Sequence, residues 1–417
     1  MAKKKIWILN HYATNFYFDK LGRHYSFSEN LRKRGYETTI FCASTRHNSA
    51  DIIEMRGGKY VKKIANNTPY VFVKTVNYYG NGLQRIINML SFYRNLFPVT
   101  KKYIKTHGKP DVILASSVHP LTLVAGIQIA KKLNIPCICE VRDLWPECVV
   151  VFGSLKKNSI IAKVLYQGER WIYQKADRLI FTWEGGKDYI IEKGWEKQID
   201  LSKVKHINNG VDIDQFDKNS EENQVFDPEL DDKEYKNIVY AGSIRKINNL
   251  GMLLDTAKII QNQGIKDIRF LIYGFGTECE ILKKRCREEN ISNVFFKGRI
   301  EKKYIPSVLK RSYINIMHHS SASIDRYGQS QNKLFEYLAA GKFIIQTYTP
   351  GYSVVAKYNS GFDVSIQNAE EIAKIIIKAC NDDECYQIFS ENARKSAQDY
   401  DFKKLTQSLI ETIEDIV

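Results

Sequence analysis

The sequence predicts an α/β protein of two domains, each a parallel sheet covered by helices, and three observations carry the prediction. At 417 residues the chain is too long for one ordinary hydrophobic core and suits two domains of about 200 residues each. Short β-rich runs alternate with helical stretches, and many of those runs are apolar on both faces, as strands are when helices cover both sides of a sheet. The alternation stops at a polar stretch near the middle of the chain and then starts again.

In the first half, Lys5–Asn10 and Glu37–Cys42 read as strands around an amphipathic helix over Tyr25–Arg34 that closes at Gly35. Asp111–Ala115 and Pro136–Glu140 flank the helical stretch Leu121–Leu133, which makes a strand–helix–strand unit, and Arg178–Thr182 is one more buried strand. Asp217–Lys236, rich in Asp, Glu, Lys and Asn, reads as a solvated loop near the domain boundary. Strands then recur at Asn237–Ala241, Ile268–Tyr273, Val294–Phe296, Tyr313–Met317 and Phe343–Gln346, with helices over Leu250–Gln263, Glu278–Glu289 and Gln331–Ala340 between them. At the end, Phe402, Leu405, Leu409, Ile413 and Ile416 fall at helical spacing. The expected organisation is an N-terminal domain over 1–205, a C-terminal domain over 206–395, and a terminal segment, 396–417, whose helix crosses back to pack on the N-terminal domain.

Composition narrows the function classes. Apolar residues make up 44% of the chain and charged residues 26%, so it folds as a globular protein. The eight cysteines are scattered with no paired CxxC elements, which predicts reduced thiols, a cytoplasmic setting and no zinc site. The apolar run Ile6–Leu9 is far shorter than the core of a signal peptide and reads as a first strand. No run of about 18 apolar residues occurs, so any membrane contact is expected to be peripheral. A net charge of +15 favours an anionic partner: nucleic acid, a phosphorylated small molecule or an anionic membrane surface. No nucleic-acid-binding signature is visible, so nucleic acid is not expected. For the membrane surface the candidate is Leu83–Lys105, where apolar residues mix with Arg85, Arg94, Lys101, Lys102 and Lys105; such a helix lies on anionic lipid or covers its own domain.

Three loops in the second half put glycine at a strand end: Gly242-Ser243-Ile244-Arg245-Lys246, Gly274-Phe275-Gly276, and Gly298-Arg299-Ile300. In open α/β sheets such ends bind ligands, because backbone amides and a helix N-terminus can approach a phosphate there. Taken singly, each glycine is equally explained by turn chemistry. Gly274-Phe275-Gly276 lacks the third glycine of the dinucleotide fingerprint, so NAD is not expected. The most specific stretch is Gly328–Lys342, where a polar loop opens a helix carrying Lys333 and Glu336 one turn apart before Gly341 ends it. A cation beside helix amides suits a diphosphate, and a carboxylate one turn on can accept hydrogen bonds from a ribose diol. The same spacing also describes an ordinary surface ion pair.

Ser330–Lys342 resembles the nucleotide-sugar signature of retaining glycosyltransferases of family 4, which have the GT-B fold of two Rossmann-like domains facing each other across a cleft. In the branch that builds capsule, O-antigen and other surface polysaccharides a Ser-Pro-Asn-Lys-Leu run is typical, and here Gln331 stands in place of the proline. Val141–Glu147, with Arg142-Asp143-Leu144-Trp145-Pro146 inside it, is similar to a second signature of that branch, and His206–Asp212 to the family's interdomain Asn-Gly-Val-Asp. The resemblance implies that Glu336 holds the donor ribose, that Lys333 lies with the Gly242, Gly274 and Gly276 loops near the diphosphate, and that Arg299 and Ile300 sit beside the base. Ser330, Asn332 and Leu334 belong to the same donor run. Ser243, Arg245 and Lys246 fall where the family's phosphate-binding cations are displaced, and Gly328 stands where a first glutamate would otherwise grip the donor sugar.

In the N-terminal domain, Asp143 and His119 each follow a strand and are the catalytic candidates; a helix cap and a structural histidine are the competing explanations. Gly22, Arg23 and His24 occupy the place of the family's first glycine-rich loop, where Gly22 would admit the acceptor and Arg23 would meet a phosphate. The implied function is transfer of a sugar, with retention, from a nucleoside diphosphate sugar, UDP-linked, to a lipid-linked saccharide at the cytoplasmic face of the membrane. No cofactor or metal is expected, since positioned cations and helix N-termini can stabilise the departing diphosphate. A UDP-sugar epimerase of the same fold and a non-catalytic partner in a polysaccharide assembly complex are the alternatives.

Overall fold

The computed structural model describes residues 4–47, 49, 51–55, 57–78, 80 and 82–417. The chain forms two compact units, Met1–Asn208 with Phe402–Val417, and Asn209–Asp401. Each unit holds one α/β sheet.

In the first unit eight strands lie in the order β3-β4-β2-β1-β5-β6-β7-β8. They are β1 (Lys5–Leu9), β2 (Glu37–Ala43), β3 (Tyr60–Ala65), β4 (Thr68–Val73), β5 (Val112–Ser116), β6 (Cys137–Val141), β7 (Arg178–Phe181) and β8 (Val204–His206). Every pairing is parallel except that of β3 with β4. That antiparallel hairpin turns at Asn66, whose φ of 51° suits the left-handed region asparagine tolerates. Central strands β1 and β5 are buried almost throughout, which is why they read as unbroken apolar runs. The Arg23–Lys33 helix crosses from β1 to β2, and the Phe402–Glu414 helix packs along it through Phe402, Leu405, Leu409 and Ile413 in one core with Phe27 and Leu31. The Leu83–His107, Leu121–Leu133 and Ile160–Lys175 helices follow β4, β5 and β6 and pack in a row, the middle one touching both others.

In the second unit six strands lie in the order β11-β10-β9-β12-β13-β14, all parallel. They are β9 (Lys236–Ala241), β10 (Ile268–Tyr273), β11 (Val294–Gly298), β12 (Ile314–Met317), β13 (Phe343–Gln346) and β14 (Gly361–Asp363). Order reverses between β9 and β12, the place where open α/β sheets bind ligands at their carboxyl edge. Two apolar cores cover the sheet. One holds Ile238, Leu254, Phe270 and Ile316, the other Val239, Leu271, Leu334 and Phe335.

Asp217–Lys236, expected as a solvated loop, contains most of one helix and the whole of another: Ile213–Glu222 and Pro228–Asp231. Asp212 caps the first, its carboxylate accepting the Gln215 N–H at 3.0 Å, and Ile213 and Phe216 are buried. Asp227 caps the second, with Pro228 in the first turn. The polar residues that suggested a loop are the caps and outer faces of these helices.

Candidate functional site

In the second unit the loops after β9, β10 and β11 touch one another. The Gly242 N–H donates to the Tyr273 carbonyl at 2.9 Å, the Gly274 N–H to the Gly298 carbonyl at 2.8 Å, and the Ile244 N–H to the Phe275 carbonyl at 3.1 Å. A Cβ on Gly274 would stand 1.8 Å from the Gly242 oxygen, and one on Gly276 2.0 Å from that of Ile244. Loop-against-loop contact therefore requires both glycines, whatever else they do.

Beside these loops the Asn332–Ala340 helix begins. Gln331, at its N-cap, makes no side-chain capping bond, so the positive end of the helix carries no internal acceptor side chain. Lys333 reaches toward β9: its ammonium lies 4.6 Å from the centre of the Tyr240 ring, and burial lowers its pKa to about 8. One turn on, the Tyr337 hydroxyl accepts the Ala241 N–H at 3.1 Å, which ties the helix to the end of the same strand. Glu336 is largely covered, its carboxylate paired with the half-exposed Lys302 from the turn after β11. Arg245, Lys246 and Arg299 are exposed and enter no ion pair among the described residues. Ile300 packs against the unit's core, and the Ser243 hydroxyl donates to Asn248 Oδ1 at 3.0 Å. The Ser330 carbonyl accepts from Asn209 Nδ2 at 2.7 Å, and Asn332 is exposed.

Two features differ from the sequence expectation. Leu334 is fully buried in the core, and its N–H donates to the Gln331 carbonyl at 3.1 Å, so neither its side chain nor its amide is open to a donor. Phe275, between the two glycines, is 70% exposed, an aromatic face at the loop edge that the glycine pattern concealed. Near Gly328 the carboxylate present is Asp325, which accepts the Ala322 N–H at 2.8 Å and pairs with His319 Nε2 at 3.2 Å. Among the described residues no group of three or more His, Cys, Asp or Glu side chains could hold a metal ion.

The first unit treats its charged helix start differently. Arg23 is buried; its Nε donates to Glu140 at 2.7 Å and its Nη2 to the Ile207 carbonyl at 2.9 Å. His24 is buried beside it, with Nε2 2.9 Å from the other Glu140 oxygen and Nδ1 2.8 Å from Asn10 Nδ2. Burial raises the Glu140 carboxyl, but Arg23, His24 and Arg142 together outweigh it and hold the group well below the usual range. Arg23 and His24 are thus spent on joining β1, β6 and the chain near Asn208, and the expectation that Arg23 meets a phosphate is not met. Gly22 has φ +111°, and a Cβ there would strike the Phe16 ring at 2.5 Å. Its role is local.

His119 is buried at the end of β5. Asn88 Nδ2 donates to the Val76 carbonyl, so Asn88 Oδ1 must be the atom 2.7 Å from His11 Nε2. His11 Nε2 then carries the hydrogen and His11 Nδ1 accepts, which makes His119 Nε2, 2.8 Å away, the donor. His119 Nδ1 is left as a bare acceptor with no partner among the described residues. Burial, with Arg85, lowers the His119 pKa to about 3 and keeps the ring neutral. Asp143 is exposed on the loop after β6.

Two family models match the chain: "Glycosyltransferase Family 4" over residues 24–215 and "Glycosyl transferases group 1" over residues 221–396. The chain is 22% identical over 251 residues to an uncharacterized glycosyltransferase of Methanocaldococcus jannaschii, covering 59% of this chain and 60% of that one. It is 24% identical over 200 residues to the "Probable glycosyltransferase WbjE" of Pseudomonas aeruginosa, covering 46% of each. The matches thus span about half the length of these relatives. Among solved structures, sucrose-phosphate synthase from Thermosynechococcus elongatus aligns with a TM-score of 0.72 at 15% identity, covering 99% of each chain. HepE of Anabaena in complex with UDP and glucose aligns at 0.66 and 14%, covering 99% of this chain and 100% of that one. WaaG, a glycosyltransferase of lipopolysaccharide biosynthesis, aligns at 0.64 and 12%, covering 98% and 99%. The chain therefore has the GT-B fold of two Rossmann-like α/β units, the first matched by the Glycosyltransferase Family 4 model and the second by the Glycosyl transferases group 1 model.

Proposed function

We propose that this protein transfers a glycosyl group from a UDP-linked sugar to a lipid-linked saccharide, with retention, in the synthesis of a surface polysaccharide. The observation that carries the reading is the start of the Asn332–Ala340 helix, an uncapped positive end with Lys333 and Glu336 one turn apart beside the touching glycine loops. In this reading Glu336 exchanges its Lys302 partner for the ribose hydroxyls, and the diphosphate lies between the helix amides and Lys333. Arg299 and Ile300 flank the base, and Phe275 offers a ring to stack on base or sugar. As the sugar–phosphate bond breaks, negative charge grows on the leaving diphosphate, and fixed cations stabilise it without reorganisation. The acceptor hydroxyl oxygen forms the new bond to the sugar from the face the diphosphate leaves, and its proton passes to the departing diphosphate oxygen. In the first unit, His119 Nδ1 is the group to accept from a sugar hydroxyl, and Asp143 the exposed carboxylate near the acceptor.

The donor assignment is supported by neighbours solved with UDP and UDP-glucose, and the surface-polysaccharide role by the Asp143 and Ser330 signatures and by the likeness to WaaG. Purified protein incubated with labelled UDP-sugars and lipid-linked acceptors should release UDP and yield a longer lipid-linked product. A UDP-sugar changed at the sugar with no acceptor present would instead favour the epimerase reading, which the likeness to a UDP-N-acetylglucosamine 2-epimerase (TM-score 0.61, 11% identity) keeps in view. Absence of binding to every nucleotide sugar would favour a non-catalytic partner.

A further inference from the structure

We infer that the start of the Ile160–Lys175 helix, with the turn before it, is a docking surface for an anionic lipid layer. This helix is apolar on two sides. Ala162, Ile172 and Tyr173 are buried in the first unit, whereas Ile160, Ile161 and Val164 are 80%, 64% and 63% exposed. Phe152, just after the Glu147–Val151 helix, is also exposed. Aliphatic side chains left in water together at one helix start mark an interaction surface, not a domain exterior.

Charge decides what the surface meets. Lys156, Lys157 and Lys163 are exposed around these residues and enter no ion pair among the described residues, and the sequence from Cys148 to Gly168 contains no Asp or Glu. A second copy docking symmetrically would set lysine against lysine, since an isologous contact presents the same patch from both sides. An anionic bilayer answers both features, with headgroups for the lysines and an acyl boundary for the aliphatic chains. Position agrees. The helix follows β6 and so begins at the carboxyl edge of the sheet, as the Leu83–His107 helix does after β4, and that helix likewise exposes Leu83, Ile86 and Leu90 in its first turns. Both pack on the Leu121–Leu133 helix. The surface gains its purpose from the proposed lipid-linked acceptor, but its geometry stands apart from that reading.

The test is flotation of the full chain with vesicles of phosphatidylcholine, with and without phosphatidylglycerol, alongside UDP-sugar hydrolysis in vesicle-free buffer. The wild type should float only with the anionic vesicles, and less so in high salt. The triple variants I160Q/I161Q/V164Q and K156E/K157E/K163E should each lower partitioning on the order of a hundred-fold while retaining hydrolysis. Wild-type protein that hydrolyses donor but never floats, or triple variants that float like the wild type, would overturn the inference and leave the enzymatic reading intact. Flotation without any nucleotide-sugar binding would do the reverse. A concentration-dependent dimer on size exclusion that I160Q/I161Q/V164Q abolishes would overturn the lipid assignment in favour of a second copy.

Discussion

Two helix starts in this molecule look alike in sequence and differ in what surrounds them. Gly22-Arg23-His24 opens the helix after β1 and Gln331-Asn332-Lys333 the helix that precedes β13; each places a cation at the positive end of a helix over a parallel sheet. In the first, the cation is consumed: Arg23 and His24 both grip Glu140, a carboxylate on β6 with less than 1% exposure. In the second, Lys333 has an aromatic face for company and no carboxylate, and the nearby carboxylate, Glu336, is held by a lysine half in solvent. A charged helix start is a ligand site only where the fold leaves its charge without an internal partner.

Substitutions at the two starts should therefore act on different properties. The largest effect is expected from Arg23→Ala, which strands Glu140 as a buried, uncompensated charge and should lower stability by about 3–5 kcal/mol in urea denaturation, with nucleotide affinity of the folded protein unchanged. Lys333→Ala should do the opposite. Turnover should fall about 10²- to 10³-fold, the cost of removing one fixed charge at a transition-state anion, with no loss of stability because a desolvated ammonium is removed. If Arg23→Ala abolished UDP binding in protein shown to be folded, or Lys333→Ala unfolded the chain, the comparison would fail.

Acidity sharpens the contrast. Free Lys333 titrates near pH 8, and a bound diphosphate favours its charged form, so the pKa rises on binding. Nucleotide affinity should be full below pH 8 and fall as pH rises through it, by at most about tenfold per pH unit, and the dependence should vanish in Lys333→Ala. A smaller, separate effect concerns Glu169, buried in the first unit and accepting from the Tyr173 and Tyr189 hydroxyls, where burial raises its pKa to about 8. Its folded pKa lies above the ordinary value, so it binds more protons folded than unfolded and costs stability as pH rises from about 4.5 to 8. Glu169→Gln should be more stable than the wild type at pH 8 and differ little from it at pH 4, measured by thermal unfolding.

The α/β class and the central strands of both sheets were legible because a strand buried on both faces writes an unbroken apolar run. The Asn332–Ala340 helix was legible because Gly341, at φ +63°, closes it where only a residue without Cβ sits easily. What escaped depends on distant partners. Nothing near Arg23 announces a carboxylate 117 positions away, nor does the spacing of Lys333 and Glu336 reveal that Lys302 reaches Glu336 from another loop. Leu334 was gathered into the donor run by its neighbours, although its place on the helix face turns it into the core. The β3–β4 hairpin escaped because β3 is mostly exposed and its Asn66-Asn67 turn carries no glycine.

Calorimetric titration with UDP of the wild type, Glu336→Gln and Arg23→Met tests the central claim most directly. Wild type and Arg23→Met should bind alike, and Glu336→Gln should bind about tenfold or more weakly through loss of charge-assisted hydrogen bonds to the ribose. Equal binding by Glu336→Gln and the wild type would contradict the assignment of the Asn332–Ala340 helix as the nucleotide-holding element.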